Sequence, residues 1–214
     1  MAFTAQDVKK LREMTNVGMM DCKAALAATD GDMDKAVDWL REKGLAKAAK
    51  KASRVAAEGV AFATVVDGIG VVIEVNSETD FAAKTESFMD LVKNLAIVVA
   101  KENPADVEAL KASKYPNSQL TVTEIMQEKV MSIGENMQIR RFARFPENTS
   151  VAYVHAGGTH GVLVNLAVEG DIDATEIGKN VAMQIAAMNA KYWDKNLVPQ
   201  AEVDKEMAVF FYDI

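Results

Sequence analysis

Few side chains in this sequence are suited to chemistry. His155, His160 and the single cysteine, Cys22, are the only soft ligands for a zinc site and the only residues that could form a Cys–His nucleophile pair. The two histidines flank Gly157-Gly158 at a spacing of five, which puts both on one hairpin. Cys22 is far away in sequence and lies on the apolar stripe of a short helix, where it acts as a small hydrophobe. A zinc site and a Cys–His pair are therefore both disfavoured, and two hairpin-loop histidines are the plainer reading. The chain has no GxxxxGK(S/T) phosphate loop, no GxGxxG after a strand and no HExxH. Among the 31 acidic residues none stands in an apolar setting that would tune a carboxylate for acid–base work. A protein without enzymatic activity, cofactor or metal is expected.

Three other segments carry residues whose plain structural reading competes with a binding role. ETDFAAK (78–84) joins a buried strand to a helix. Asp80 can serve there as a helix N-cap, while Phe81, at the first helical position, either faces outward or staples weakly to a neighbour; the structural reading stands beside a functional one, in which an aromatic next to a carboxylate on a rigid tip makes an interface anchor. In GMMDCK (18–23), Met19 and Met20 point about 100° apart on a helix, so one of them is expected at the surface, where methionine adapts to partners. In the tether REKGLAKAAKKASR (41–54), Lys47, Lys50, Lys51 and Arg54 share a helical face. A solvated face is the ordinary explanation, and an acidic protein surface is the better functional one, because no aromatics interleave as nucleic-acid stacking would need.

Three units position these segments. Up to about residue 44, Val8, Leu11 and Thr15, then Met19, Cys22 and Leu26, then Met33, Ala36, Val37 and Leu40 keep helical spacing. Asp32 is placed to N-cap the third helix and Gly44 to end it in the left-handed conformation. From Glu58 the period changes: GVAFATVV (59–66) and GVVIEVN (70–76) form a hairpin, a helix follows with Phe88, Leu91, Val92 and Leu95 on one face, and 101–119 is mixed and broken by Pro104 and Pro116. A helix over Ile125–Met131 and a strand over Met137–Phe145, with Arg140 and Arg144 outward, complete the unit. A shift of 91 positions then lays Val151, Ala152 and Tyr153 on Val60, Ala61 and Phe62, and Gly161 to Val164 on Gly70 to Ile73. The third unit thus repeats the second, with its own helix at about 174–188 and with Val209–Ile214 as a candidate closing strand.

Composition sets limits. Half the residues are hydrophobic, no apolar run reaches the roughly 20 residues of a membrane span, and no signal core follows the N-terminus, so a cytoplasmic location is expected. The single cysteine agrees with a reducing compartment. The net charge of −7 argues against nucleic acid as the direct partner.

LREMTNVGMMDCKAAL (11–26), GDMDKAVDWLREKGLAKAAKKASRVAAEG (31–59), VIEVNSETDFAA (72–83), IGENMQIRRF (133–142), YVHAGGTHGVLV (153–164) and MQIAAMNAKYW (183–193) resemble, in family order, the signature blocks of bacterial elongation factor Ts. The resemblance implies an α+β protein: a three-helix ubiquitin-associated-like module (1–45), a basic linker (46–57) and two related core subdomains with antiparallel sheets (58–147 and 148–214). It implies elongation factor Tu as partner, in its GDP-bound and nucleotide-free states, and leaves homodimerisation open. It further implies a guanine nucleotide exchange activity in which Asp80 and Phe81 enter near the magnesium site of elongation factor Tu. Arg12, Met19, Met20 and Lys51 fall at contact positions of the module and linker, and Ile133, Gly134 and His155 at those of the core. A non-catalytic adaptor working through the three-helix module is the alternative. The chain departs from the family pattern after TDF, where Val-Ala is usual and Ala82-Ala83 stands here, at Thr159-His160, where Arg-Ile is usual, and in its C-terminal part. There the second subdomain is expected to be abbreviated, with 208–214 either closing its sheet or marking a shortened form.

Overall fold

The computed structural model describes residues 3–15 and 17–212. Helix α1 (Ala5–Thr15) opens where the Thr4 hydroxyl and the Asp7 carboxylate each accept the other residue's backbone N–H. Helices α2 (Met19–Ala28) and α3 (Met33–Lys51) follow, and Asp32 caps α3 by accepting the Lys35 N–H at 3.1 Å. The stripes meet as their spacing predicts: Leu11, Cys22, Ala25, Leu26, Ala36 and Leu40 are buried together.

Gly44 does not end α3. The helix runs on for seven more residues, because Gly44 is the buried point where α3 crosses a later helix, α7 (Val122–Ile133): a Cβ there would lie 3.3 Å from the Met131 sulfur. Packing overrides the local preference of glycine for a helix terminus. The basic segment is therefore helical as far as Lys51, and Arg54 lies beyond the helix end.

Strands β1 (Glu58–Val66) and β2 (Ile69–Ser77) pair in continuous register around Asp67-Gly68, both with positive φ, as a two-residue hairpin requires. The short helix α4 (Asp80–Ala83) leads into α5 (Glu86–Glu102), whose Phe88, Leu91, Val92 and Leu95 are fully buried. The mixed segment holds one further helix, α6 (Val107–Ala112), capped by Asp106. Helix α7 starts with a capping box between Thr121 and Glu124.

Strand β3 (Met137–Phe145) pairs with β2, giving the order β1-β2-β3. A bulge at Arg140 interrupts the alternation expected there. Arg140 stays exposed beside Glu74, but beyond the bulge the faces exchange, so Arg144 lies on the helix-covered side and donates to the Ala100 carbonyl at 3.0 Å. Arg144 is thus a cap for the end of α5, a correction to its outward placement.

The repeat is real and imperfect. Strands β4 (Thr149–His155) and β5 (His160–Leu166) form the second hairpin, and α8 (Thr175–Met188) covers it. In the first hairpin Val60 pairs with Val75. A strict copy would pair Val151 with Leu166, yet Val151 pairs with Val164. The slip is two residues, which the four-residue turn 156–159 absorbs and which leaves every side chain on its expected face. Helix α5 covers one face of the three-stranded sheet, the second hairpin stacks on the other, and α8 lies outermost. The fold is α+β, with antiparallel sheets and a helical N-terminal part. Among the described residues the second sheet has two strands. Its expected closing strand is overturned: a single 3-10 turn (Lys195–Leu197) is followed by helix α9 (Gln200–Tyr212), while Asp213 and Ile214 lie outside the described residues.

Candidate functional site

Ser77, at the end of β2, is completely buried and donates its hydroxyl proton to the Thr79 carbonyl at 2.9 Å. Thr79, not Asp80, is the N-cap of α4: its hydroxyl accepts the Ala82 N–H at 3.2 Å. Asp80 and Phe81 are consequently the first and second residues of this one-turn helix. The turn carries Ala82 and Ala83 into the interior and leaves Phe81 81% exposed, the outward one of the two placements open to it. Ala82, which stands where the family has valine, is buried, so the missing bulk lies beneath the tip and not on its exposed surface. Lys84 pairs with Asp80 at 2.6 Å, and this hydrogen bond holds the Asp80 carboxyl below its ordinary value.

The tip is gripped from behind by the loop after α7. Gly134, with φ of 89°, turns the chain sharply out of the helix. One oxygen of Glu135 accepts the Thr79 N–H at 3.0 Å and the other accepts the Thr79 hydroxyl at 2.6 Å. In return Glu78 accepts the Asn136 N–H at 2.6 Å, a bond that, with Arg54 nearby, depresses its pKa. Asn136 is buried, and its side-chain amide donates to the Arg54 carbonyl at 2.8 Å, tying the loop to the chain just beyond α3.

Basic residues of α3 and its continuation draw three segments together. Lys47 pairs with Asp21 at 2.7 Å, beside Met19 and Met20; Lys51 donates to the Gly134 carbonyl; Arg54 reaches Glu78 at 3.5 Å. The shared cationic face is thus largely committed to contacts within the chain. Both methionines are exposed, Met19 at 53% and Met20 at 76%, where only one was expected to be; the buried face of α2 is formed by Cys22, Ala25 and Leu26. Ile133 is half-buried against the main core.

His155 and His160 face each other across the second hairpin, with ring centroids 6.1 Å apart, and the Tyr153 hydroxyl lies 2.8 Å from His155 Nδ1. The adjoining Gly158 carbonyl accepts the Ala61 N–H at 2.8 Å, which seats this turn against the start of β1, at the sheet end from which the 78–83 segment departs. Arg12 is exposed on α1 and, among the described residues, makes no ion pair with the other candidates. Of the nine candidates, the structure brings Met19, Met20, Lys51, Ile133, Gly134, Asp80 and Phe81 into one connected framework, with His155 at the same sheet end. The residues that build it, Thr79, Glu78, Glu135 and Asn136, were missed; their signal was two acid-bearing segments, ETDF and IGEN, that satisfy each other's backbone.

Burial pushes the Cys22 thiol up, and its polar neighbours are the Val17 carbonyl at 3.6 Å and the Thr15 hydroxyl at 3.9 Å. Among the described residues no group of three or more potential ligands could hold a metal ion. Each carboxylate with a displaced pKa (Asp7, Asp32, Glu78, Asp80, Glu124, Asp173) is displaced downward, opposite to the shift a general acid requires. A cavity of about 820 Å³ between α8 and α9 has Met188, Val203, Met207 and Val209 among its lining residues. No helix among the described residues is long and apolar enough to cross a membrane.

What the framework presents is an exposed aromatic on a braced turn, a feature suited to binding another macromolecule. Compared with known families, residues 78–213, more than half of the chain, match the model described as elongation factor TS, a match that opens at the tip itself and runs through β3 and the second hairpin. The chain belongs to the elongation factor Ts family.

Proposed function

We propose that this protein binds elongation factor Tu and accelerates release of its GDP, with Phe81 as the wedge and Asp80 beside it near the magnesium site. The family supplies nucleotide exchange on elongation factor Tu as the general activity; the exposure of Phe81 on its braced turn supports this assignment of the tip. No bond is made or broken by the protein. It binds better to a conformation in which metal and phosphate ligands are displaced, so nucleotide affinity falls, and by linkage GDP weakens its own binding to the same degree. A tenfold drop in GDP affinity requires about 1.4 kcal/mol of differential binding, within the range of one aromatic anchor. Met19, Met20 and Arg12 would hold the nucleotide-binding domain from the three-helix module, with Lys51, Ile133, Gly134 and His155 along the adjoining surface. A cytoplasmic setting follows from the partner.

Stopped-flow release of fluorescent GDP from elongation factor Tu is the test. The chain is expected to raise the rate and Phe81→Ala to remove most of the gain, about tenfold or more. An unchanged rate with the unaltered chain would leave the adaptor reading, in which the three-helix module with its exposed methionines binds a partner without exchange. A complex in which Phe81 is remote from elongation factor Tu would overturn the wedge.

A further inference from the structure

We propose that Glu135 is a positioning residue for the Asp80–Phe81 tip, acting through the two hydrogen bonds its carboxylate accepts from Thr79. The proposal rests on the tip being the working part of the molecule.

Helix α4 has only four residues, far too few to be stable by itself, and its outward pair contributes nothing to packing. Its conformation must be imposed from outside. Ala82 and Ala83 anchor its base, and Thr79 sets its start. The Thr79 hydroxyl has one proton and must both be held and leave a lone pair for the Ala82 N–H. Glu135 takes that proton at 2.6 Å, so the rotor is fixed with its acceptor side toward the helix. The second carboxylate oxygen takes the Thr79 N–H at 3.0 Å and fixes the backbone from which the tip departs. One charged group thus locks both the cap and the peptide that bears it. Glu135 is itself held: Gly134 supplies the reversal, and buried Asn136 is bonded to Glu78 and to the Arg54 carbonyl. The Glu135 carboxylate is half-exposed and both of its oxygens are engaged by Thr79, so its loss should change where Phe81 points and leave the fold intact.

The test uses the full chain and elongation factor Tu. Glu135→Ala should slow GDP release at saturating chain about tenfold, the scale on which small misplacements act, while the half-saturating concentration moves much less. Glu135→Gln, whose amide oxygen replaces only one of the two acceptors, should fall between. The double variant Glu135→Ala/Phe81→Ala should equal Phe81→Ala alone, because a residue that acts only through the tip has nothing left to position; a general loss of structure would be additive. In the free chain, amide hydrogen exchange at 79–83 should rise in Glu135→Ala while α5 keeps its protection. Unchanged release and protection, or further loss in the double variant, would overturn the assignment. If Phe81→Ala itself releases GDP at the full rate, the wedge fails instead, and amide exchange in the free chain alone decides whether Glu135 holds the tip.

Discussion

Phe81 presents an apolar surface that folding of its own chain gives no reason to display, and everything around it restrains it. Two residue-level consequences can be checked without a partner. Glu78 titrates below its ordinary value of 4.5 because the Asn136 N–H and Arg54 favour its ionised form. A folded pKa below the unfolded one means that the contribution of Glu78 is complete above that ordinary value and is lost as the pH falls through the folded value. Thermal stability should therefore decline on acidification below about pH 4.5, and Glu78→Gln should show a shallower decline in parallel melts. Gly59 has φ of +142°, and a Cβ there would lie 2.2 Å from the Val75 carbonyl oxygen. Gly59→Ala should cost about 3 kcal/mol in urea unfolding, since both the backbone angle and the ladder must shift.

Among the elements, α3 has the widest reach. Its first turns close the small helical core, Gly44 lets α7 approach, and its basic end ties down α2 and the loop after α7. A rod with contacts along its length fixes the methionine patch relative to the tip more firmly than a flexible linker could. Ala49→Pro, in the exposed second half of the helix, should remove about 3 kcal/mol and lower helicity in circular dichroism. It should also weaken binding to elongation factor Tu more than it slows release at saturation, because the module's grip would no longer be in register with the tip. At α7, Thr121→Ala breaks the capping box and should cost about 1 kcal/mol by the same urea measurement.

Across the whole molecule, the two hairpins stack through small residues. A Cβ on Gly161 would lie 2.6 Å from the Ala61 carbonyl oxygen, and one on Gly70 would meet Ser150 at 2.3 Å. The sheets approach this closely only because nothing projects at those points, and Gly161→Ala should cost about 2 kcal/mol by forcing backbones apart. The same stacking seats the His155 turn at the sheet end from which Phe81 projects.

The amino-acid sequence by itself determined what depends on neighbours along the chain. The helical stripes around Leu11, Leu26 and Leu40, the Asp67-Gly68 hairpin, the helix from Phe88 to Leu95 and the internal repeat could all be read from it, because period and turn chemistry are local. The exposure of Phe81 was only half legible, since its place in the first turn left both an outward position and a staple to a neighbour open. Tertiary structure decided the rest. Gly44 is a helix crossing and not a helix end, because α7 lies against it. Arg144 turned inward because a bulge forms only when β3 meets β2, and 200–212, apolar enough for either periodicity, became helix. The clasp of Glu135 on Thr79 joins groups 56 positions apart, and no pattern within a single segment encodes that two carboxylates will each find the other's backbone.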